Sequence, residues 1–218
     1  MDSPADYAPP DGPPRILYRD ARIVVVDKPA GLLTVPGRGP HLADCLIARL
    51  RRAFPEVLLV HRLDRDTSGV MVFALDPAAQ ADLGRQFEAR QVGKVYLARV
   101  AGEMEGTSGR IDLPLIVDWP NRPRQHVNHE TGRPAVTDWR VARRDEDETR
   151  MRLMPRTGRT HQLRVHMAAA GHPILGDSLY AEGAARDDHP RLMLHAASLR
   201  FRHPETGILQ TWTAPCPF

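Results

Sequence analysis

The chain has 218 residues, a formal net charge of +3 and a pI near 9.2, with 42% hydrophobic and 26% charged residues. This is ordinary for a soluble globular protein, and it predicts one catalytic-sized unit, or at most two intimate halves. No apolar run approaches the roughly 20 residues that span a bilayer, and Met1-Asp2-Ser3-Pro4-Ala5-Asp6 lacks the basic and apolar regions of a signal peptide, so a cytoplasmic location is expected. The positive charge permits a polyanionic partner without demanding one. With 28 Arg against two Lys, Lys28 and Lys94, only the placement of the arginines is informative.

Residues 1–14 hold five prolines and almost no periodic apolar positions, which predicts a disordered tail ahead of a single domain over residues 15–218. Ile16-Leu17-Tyr18 and Ile23-Val24-Val25-Val26 read as strands, and Asp27-Lys28-Pro29-Ala30-Gly31 as the turn that follows. Leu42, Leu46 and Leu50 recur at helical spacing and predict a helix over 41–53. Arg49, Arg51 and Arg52 lie near its C-terminal end, where they favour the helix dipole.

Two apolar runs, Val57-Leu58-Leu59-Val60 and Val70-Met71-Val72-Phe73, then enclose a charged loop, His61-Arg62-Leu63-Asp64-Arg65-Asp66-Thr67-Ser68-Gly69. Two strands with such a loop between them would display a carboxylate, guanidinium groups and hydroxyls on a stiff frame. Asp76-Pro77 supplies an N-cap and a first-turn proline for a helix carrying Ala79, Leu83 and Phe87 to about Arg90. Lys94–Val100 reads as a strand with Tyr96 on the face opposite Val95 and Leu97.

The segment Asp118-Trp119-Pro120-Asn121-Arg122-Pro123-Arg124-Gln125-His126 is turn-rich and basic, and its prolines keep its arginines from being one face of a solvated helix. Strands over Val136–Val141 and Arg150–Met154 flank a mixed-charge loop. Thr160 opens a helix through Ala170 that packs through Leu163, Met167 and Ala170, with His161 and Arg164 on a neighbouring stripe. Leu192–His195 and Ile208–Trp212 read as closing strands. Strands with helices out of strict alternation predict an α+β fold over a doubly wound sheet.

Most familiar sites are absent: there is no P-loop, Gly37-Arg38-Gly39 is a lone fragment, and Ser68 lacks the GxSxG setting. His161 and His166 are five apart, so they miss the i,i+4 spacing that puts two imidazoles on one helix face for a metal. Cys45 and Cys216 have no CxxC or Cys/His spacing, which predicts reduced thiols. What remains is an aspartate-based site. Asp64 or Asp66 could serve as nucleophile or base, each weighed against a turn carboxylate that bonds backbone amides, and spacing does not rank them.

The loop His61–Gly69 resembles the active-site motif of the RluA family of RNA pseudouridine synthases. Asp27-Lys28-Pro29-Ala30-Gly31-Leu32, Lys94-Val95-Tyr96 and Gly158-Arg159-Thr160-His161-Gln162-Leu163-Arg164-Val165-His166, continuing through Gly171-His172-Pro173-Ile174-Leu175-Gly176-Asp177, match the family's other motifs in order and spacing. The resemblance covers about residues 15–218. It implies the pseudouridine synthase catalytic fold, a mixed and mainly antiparallel sheet flanked by helices, with no S4-like domain before Arg15 and no cofactor or metal.

By resemblance Asp64 acts on the ribose, Arg164 is its salt-bridge partner and Tyr96 stacks on the flipped uracil. Arg62 is the wedge that replaces the extruded base, and Arg122 and Arg124 contact the RNA backbone. His61, Thr67 and Leu163 complete the expected RNA-binding set. The 118–132 segment resembles a loop of the dual-specificity members, which implies an anticodon stem-loop of tRNA and a 23S rRNA hairpin as partners of a monomer. The alternatives are a synthase of the same family with other rRNA targets, a non-catalytic RNA-binding protein that retains the fold, and a metal hydrolase.

Overall fold

A computed structural model describes residues 7–218. The chain divides into two compact units, one running to Lys94 and resuming over Ala196–Pro217, the other comprising Val95–His195 with Phe218. The elements in order are β1 (Arg15–Arg19), β2 (Ile23–Lys28), α1 (Leu46–Arg51), β3 (Leu58–Leu59), β4 (Ser68–Ala74), α2 (Pro77–Glu88), β5 (Gly93–Ala101), β6 (Ser108–Asp112), β7 (Leu115–Val117), β8 (Gln125–Val127), β9 (Val136–Arg144), β10 (Glu148–Pro155), α3 (Gln162–Ala169), α4 (Ala184–Asp187), β11 (Leu194–Arg202) and β12 (Leu209–Thr213). Few helices among many strands make the fold α+β, as expected.

In the first unit the strand order is β1-β2-β4-β11, with β3 beside β4 and β12 beside β11. β2 and β4 are antiparallel, Val24 opposite Phe73 and Val26 opposite Met71. Ile23–Val26 and Val70–Ala74 are buried without alternation, the pattern of strands covered on both faces. Leu46, Ile47 and Leu50 of α1 and Ala79 and Leu83 of α2 are buried as well. Asp76 caps α2 as predicted, its Oδ1 accepting from the Ala79 amide at 2.9 Å with Pro77 in the first turn.

In the second unit the order is β5-β10-β9-β6, antiparallel throughout, and β7 and β8 form a separate two-stranded ribbon. Its core gathers Val100, Met151, Leu153, Met167, Ile174 and Leu194. The face chosen for α3 is correct: Leu163 and Met167 lie in that core and Ala170 packs against it.

Several expectations need correction. The helix over 41–53 is only Leu46–Arg51, because Cys45 is extended and Pro40–Leu42 forms a separate 3₁₀ turn. Arg49 does more there than favour a dipole. It clasps Asp44 at 2.8 and 2.6 Å and donates to the carbonyls of Pro10 and Gly12. The first six residues of the tail expected to be disordered lie outside the described residues. The rest is held: the Tyr7 hydroxyl donates to Asp44 O at 2.7 Å and accepts from Leu33 N at 3.0 Å. The strand expected over Val57–Val60 shrinks to Leu58–Leu59, and the helix expected from Thr160 starts at Gln162 because His161 is left-handed, with φ of 54°.

Candidate active site

The segment between β3 and β4 carries Asp64, and its backbone is fixed on both sides of that residue. Thr34, 3% exposed, donates its hydroxyl to Leu63 O at 2.8 Å and accepts from Leu63 N at 3.3 Å. Lys28, fully buried, donates from Nζ to Arg65 O at 2.7 Å and Pro29 O at 2.9 Å. Thr67 N closes the turn on Asp64 O at 3.3 Å. A half-buried carboxylate is thereby displayed on a peptide that has little freedom to move.

Gly69 ends the loop because nothing larger fits. Its φ is 117°, and a Cβ there would meet Ala196 O of β11 at 2.2 Å. Asp66 is paired with Arg65 inside the loop, Nε to Oδ1 at 3.0 Å.

The residues expected to touch RNA from this loop divide. Arg62 is exposed. Thr67 is 2% exposed and turned inward, so it supports the loop instead of offering a contact. His61 is an anchor as well: its Nε2 accepts from Val72 N at 3.1 Å and its ring stacks on Phe87 at 4.7 Å. Burial, helped by the Lys94 ammonium, pushes its pKa down to about 3. A neutral His61 with an occupied Nε2 is no cation for phosphate.

In the second unit, Tyr96 sits half-buried on β5 opposite Leu153 and packs against the core. Arg164 projects from α3 and is 4% exposed. Asp177, fully buried, takes it in a two-pronged grip, Nε to Oδ2 at 2.8 Å and Nη2 to Oδ1 at 2.6 Å. The Tyr180 ring lies under the same guanidinium, 5.2 Å away. Leu163, 7% exposed, belongs to the core and not to an open surface.

The α3 terminus is fixed by a buried relay. Gln162 Nε2 donates to Thr137 Oγ1 at 3.0 Å, Thr137 donates to His166 Nδ1 at 2.9 Å, and His166 Nε2 donates to Leu113 O at 3.0 Å. Burial pushes the His166 pKa down, and both its nitrogens are occupied. Among the described residues no group of three His, Cys, Asp or Glu side chains could hold a metal ion.

The 118–126 segment joins β7 to β8 as an ordered turn. Asp118 N donates to Arg124 O at 2.9 Å, Asn121 N to Asp118 O at 3.1 Å and Arg124 N to Asn121 O at 3.0 Å. Arg122 stacks over Trp119 at 4.6 Å and Arg124 over Tyr180 at 5.4 Å. Both arginines are exposed. Trp119 itself is 64% exposed, a large apolar ring presented on a basic turn.

Sequence reasoning missed Trp119, Tyr180 and the roles of Lys28, Thr34 and Asp177. Lys28 and Asp177 lie inside recognised motifs, which was the available signal. Thr34 and Tyr180 matter through partners 29 and 16 residues away in sequence, Leu63 and Arg164, which no local pattern reveals.

The first unit holds a pinned aspartate loop, and the second holds a gripped arginine on a helix and a basic turn. A family model described as RNA pseudouridylate synthase matches residues 22–169, and the chain belongs to that family. It is an isomerase that converts uridines in RNA to pseudouridine.

The chain is 52% identical over 215 residues to the dual-specificity RNA pseudouridine synthase RluA of Escherichia coli strain K12, covering 98% of each chain. It is also 52% identical over 219 residues to the protein of that name from Vibrio vulnificus strain CMCP6, covering 98% of this chain and 88% of that one. Among solved structures it is similar to human RNA pseudouridylate synthase domain containing 1, with a TM-score of 0.80, 33% identity and coverage of 97% of this chain and 87% of the other. Human RNA pseudouridylate synthase domain containing 4 gives a TM-score of 0.77 at 27% identity, covering 93% and 88%. No helix among the described residues is long and apolar enough to cross a membrane.

Proposed function

We propose that the protein isomerises a uridine in the anticodon stem-loop of tRNA and one in a hairpin loop of 23S rRNA, acting as a cytoplasmic monomer with Asp64 as the catalytic carboxylate. The support for these targets is the 52% identity to proteins named as dual-specificity synthases, along nearly the whole chain. The observation that carries Asp64 is the clamp on its flanking peptides by buried Thr34 and Lys28.

In the reaction the N1–C1′ bond of uridine breaks, the base turns, and a C5–C1′ bond forms as the C5 proton leaves and N1 takes up a proton. Asp64 acts at the ribose, either as nucleophile at C1′ or as base at C2′, and both routes need it ionised. An opposite charge keeps a carboxylate ionised when substrate excludes water, the part that the resemblance assigns to Arg164. Tyr96 stacks on the flipped uracil and takes part in the loss of the C5 proton. Extruding the base costs about a few kcal/mol, and Arg62 offsets this by stacking where the base was. Arg122 and Arg124 bind the RNA backbone, while the exposed Trp119 indole offers a face for an unpaired base.

The test is tritium release from tRNA and 23S hairpins labelled at uridine C5, with pseudouridines mapped in the products. Wild-type protein should release label from both hairpins, and Asp64→Asn should bind RNA while releasing label at least about a thousandfold more slowly, some 4 kcal/mol of barrier. Wild-type rates from Asp64→Asn would sink the assignment of Asp64. Release from one hairpin alone would narrow the target reading to a single RNA.

A further inference from the structure

Tyr180 touches both features of the second unit that the proposed function uses. Its ring lies 5.2 Å from the Arg164 guanidinium and 5.4 Å from that of Arg124, each within reach for a cation over an aromatic face. Its hydroxyl accepts from Gln125 N at 2.8 Å, at the end of the basic turn. With that lone pair occupied, the hydroxyl donates to His161 Nδ1, also at 2.8 Å. Burial pushes the phenol up to about 12, so it stays a donor across the physiological range.

We infer that Tyr180 is a positioning residue with two separable roles: its ring orients Arg164 for catalysis, and its hydroxyl docks the 118–126 turn for RNA binding. The inference rests on the reading of Arg164 and of that turn given above. The roles separate because only the hydroxyl bonds Gln125 N, whereas the ring, which faces Arg164 and Arg124, stays when the hydroxyl is removed. Asp177 Oδ1 accepts from Tyr180 N at 3.1 Å as well as from Arg164 Nη2 at 2.6 Å. Ring and guanidinium are therefore placed by one carboxylate, whether or not the hydroxyl is present.

The start of α3 also survives without the hydroxyl. Val165 N donates to His161 O at 2.9 Å, and Gln162 Oε1 accepts from Thr157 Oγ1 at 2.7 Å and Arg159 N at 3.0 Å. Gln125 N, by contrast, loses its acceptor when the hydroxyl goes, and the end of the turn keeps only the strand pairing to Val117 and the Arg124 stack on the ring.

Two variants separate the roles. Tyr180→Phe keeps the ring and removes the hydroxyl, while Tyr180→Leu removes both. With a C5-tritiated hairpin, Tyr180→Phe is expected to raise KM about tenfold, the scale of one lost hydrogen bond, and to leave kcat within about twofold. Tyr180→Leu should also lower kcat at least about tenfold.

Binding is read separately on an Asp64→Asn background, where Tyr180→Phe should weaken hairpin affinity about tenfold, with an unchanged melting temperature as the check on folding. Equal loss of kcat in both variants, or wild-type affinity in Tyr180→Phe, would overturn the inference. Should Tyr180→Leu fail to fold, the KM and kcat of Tyr180→Phe decide alone. A wild-type protein that released no label from any hairpin would instead reject the proposed targets, and the Asp64→Asn binding comparison would still test the docking role.

Discussion

At His61 burial and a neighbouring charge act in the same direction. Its pKa of about 3 in the fold lies below the ordinary 6.5, so on acidification the unfolded chain takes up the proton first. The stability His61 contributes is complete above about pH 6.5 and is lost as pH falls toward 3. His166 shifts in the same direction. The expected outcome is a urea midpoint that declines below about pH 6.5, with a shallower decline in His61→Gln, whose amide oxygen can still accept from Val72 N. Arg164 behaves differently because its partner cannot escape. Arg164→Ala strands the fully buried Asp177 carboxylate and should cost about 3–5 kcal/mol, whereas Arg164→Met with Asp177→Leu should recover most of it. Chemical unfolding of the three proteins checks this, and equal stabilities for the single and double variants would contradict it.

At the scale of elements, the loops proposed to carry function are held by neighbours with ordinary structural roles. The Asp64 loop hangs between a two-residue strand and the buried β4, and what fixes it are a few bonds, two between Thr34 and Leu63 and one from Lys28 to Arg65 O among them. α2 stands on its cap: Asp76→Ala removes the acceptor for Ala79 N and the Arg22 ion pair at 3.2 Å. The expected loss is about 1 kcal/mol, nearly all from the cap, because an exposed ion pair contributes little. Thermal unfolding reads it, and Asp76→Ser should restore most of it. α1 shows where spacing misleads. Leu42 fits the helical stripe by position, yet Gly37 N donates to Leu42 O at 3.0 Å, which commits that residue to a turn before the helix starts.

Across the whole molecule, a net charge of +3 is modest for an RNA enzyme, so the placement of cations should dominate binding. Arg122→Ala and Arg124→Ala should each flatten the slope of log affinity against log salt by about 0.7 to 1, while Arg140→Ala on exposed β9 should leave it unchanged. Filter binding of a tRNA hairpin across a salt series is the measurement.

The sequence by itself determined the class of fold and the family. Strands buried on both faces must be apolar without interruption, which the runs Ile23–Val26 and Val70–Phe73 record. Local chemistry also placed the α2 cap and the core face of α3. Only the tertiary structure decided which polar groups near the motifs face outward and which are spent inside. Arg62 is exposed, whereas His61 gives its nitrogen to Val72 and Thr67 is buried. It alone showed that Asp177 and Tyr180 hold Arg164. The physical reason is that a hydrogen bond or stacked ring is set by distance in space, and these partners lie 11 to 16 residues apart along a chain whose pattern records only burial.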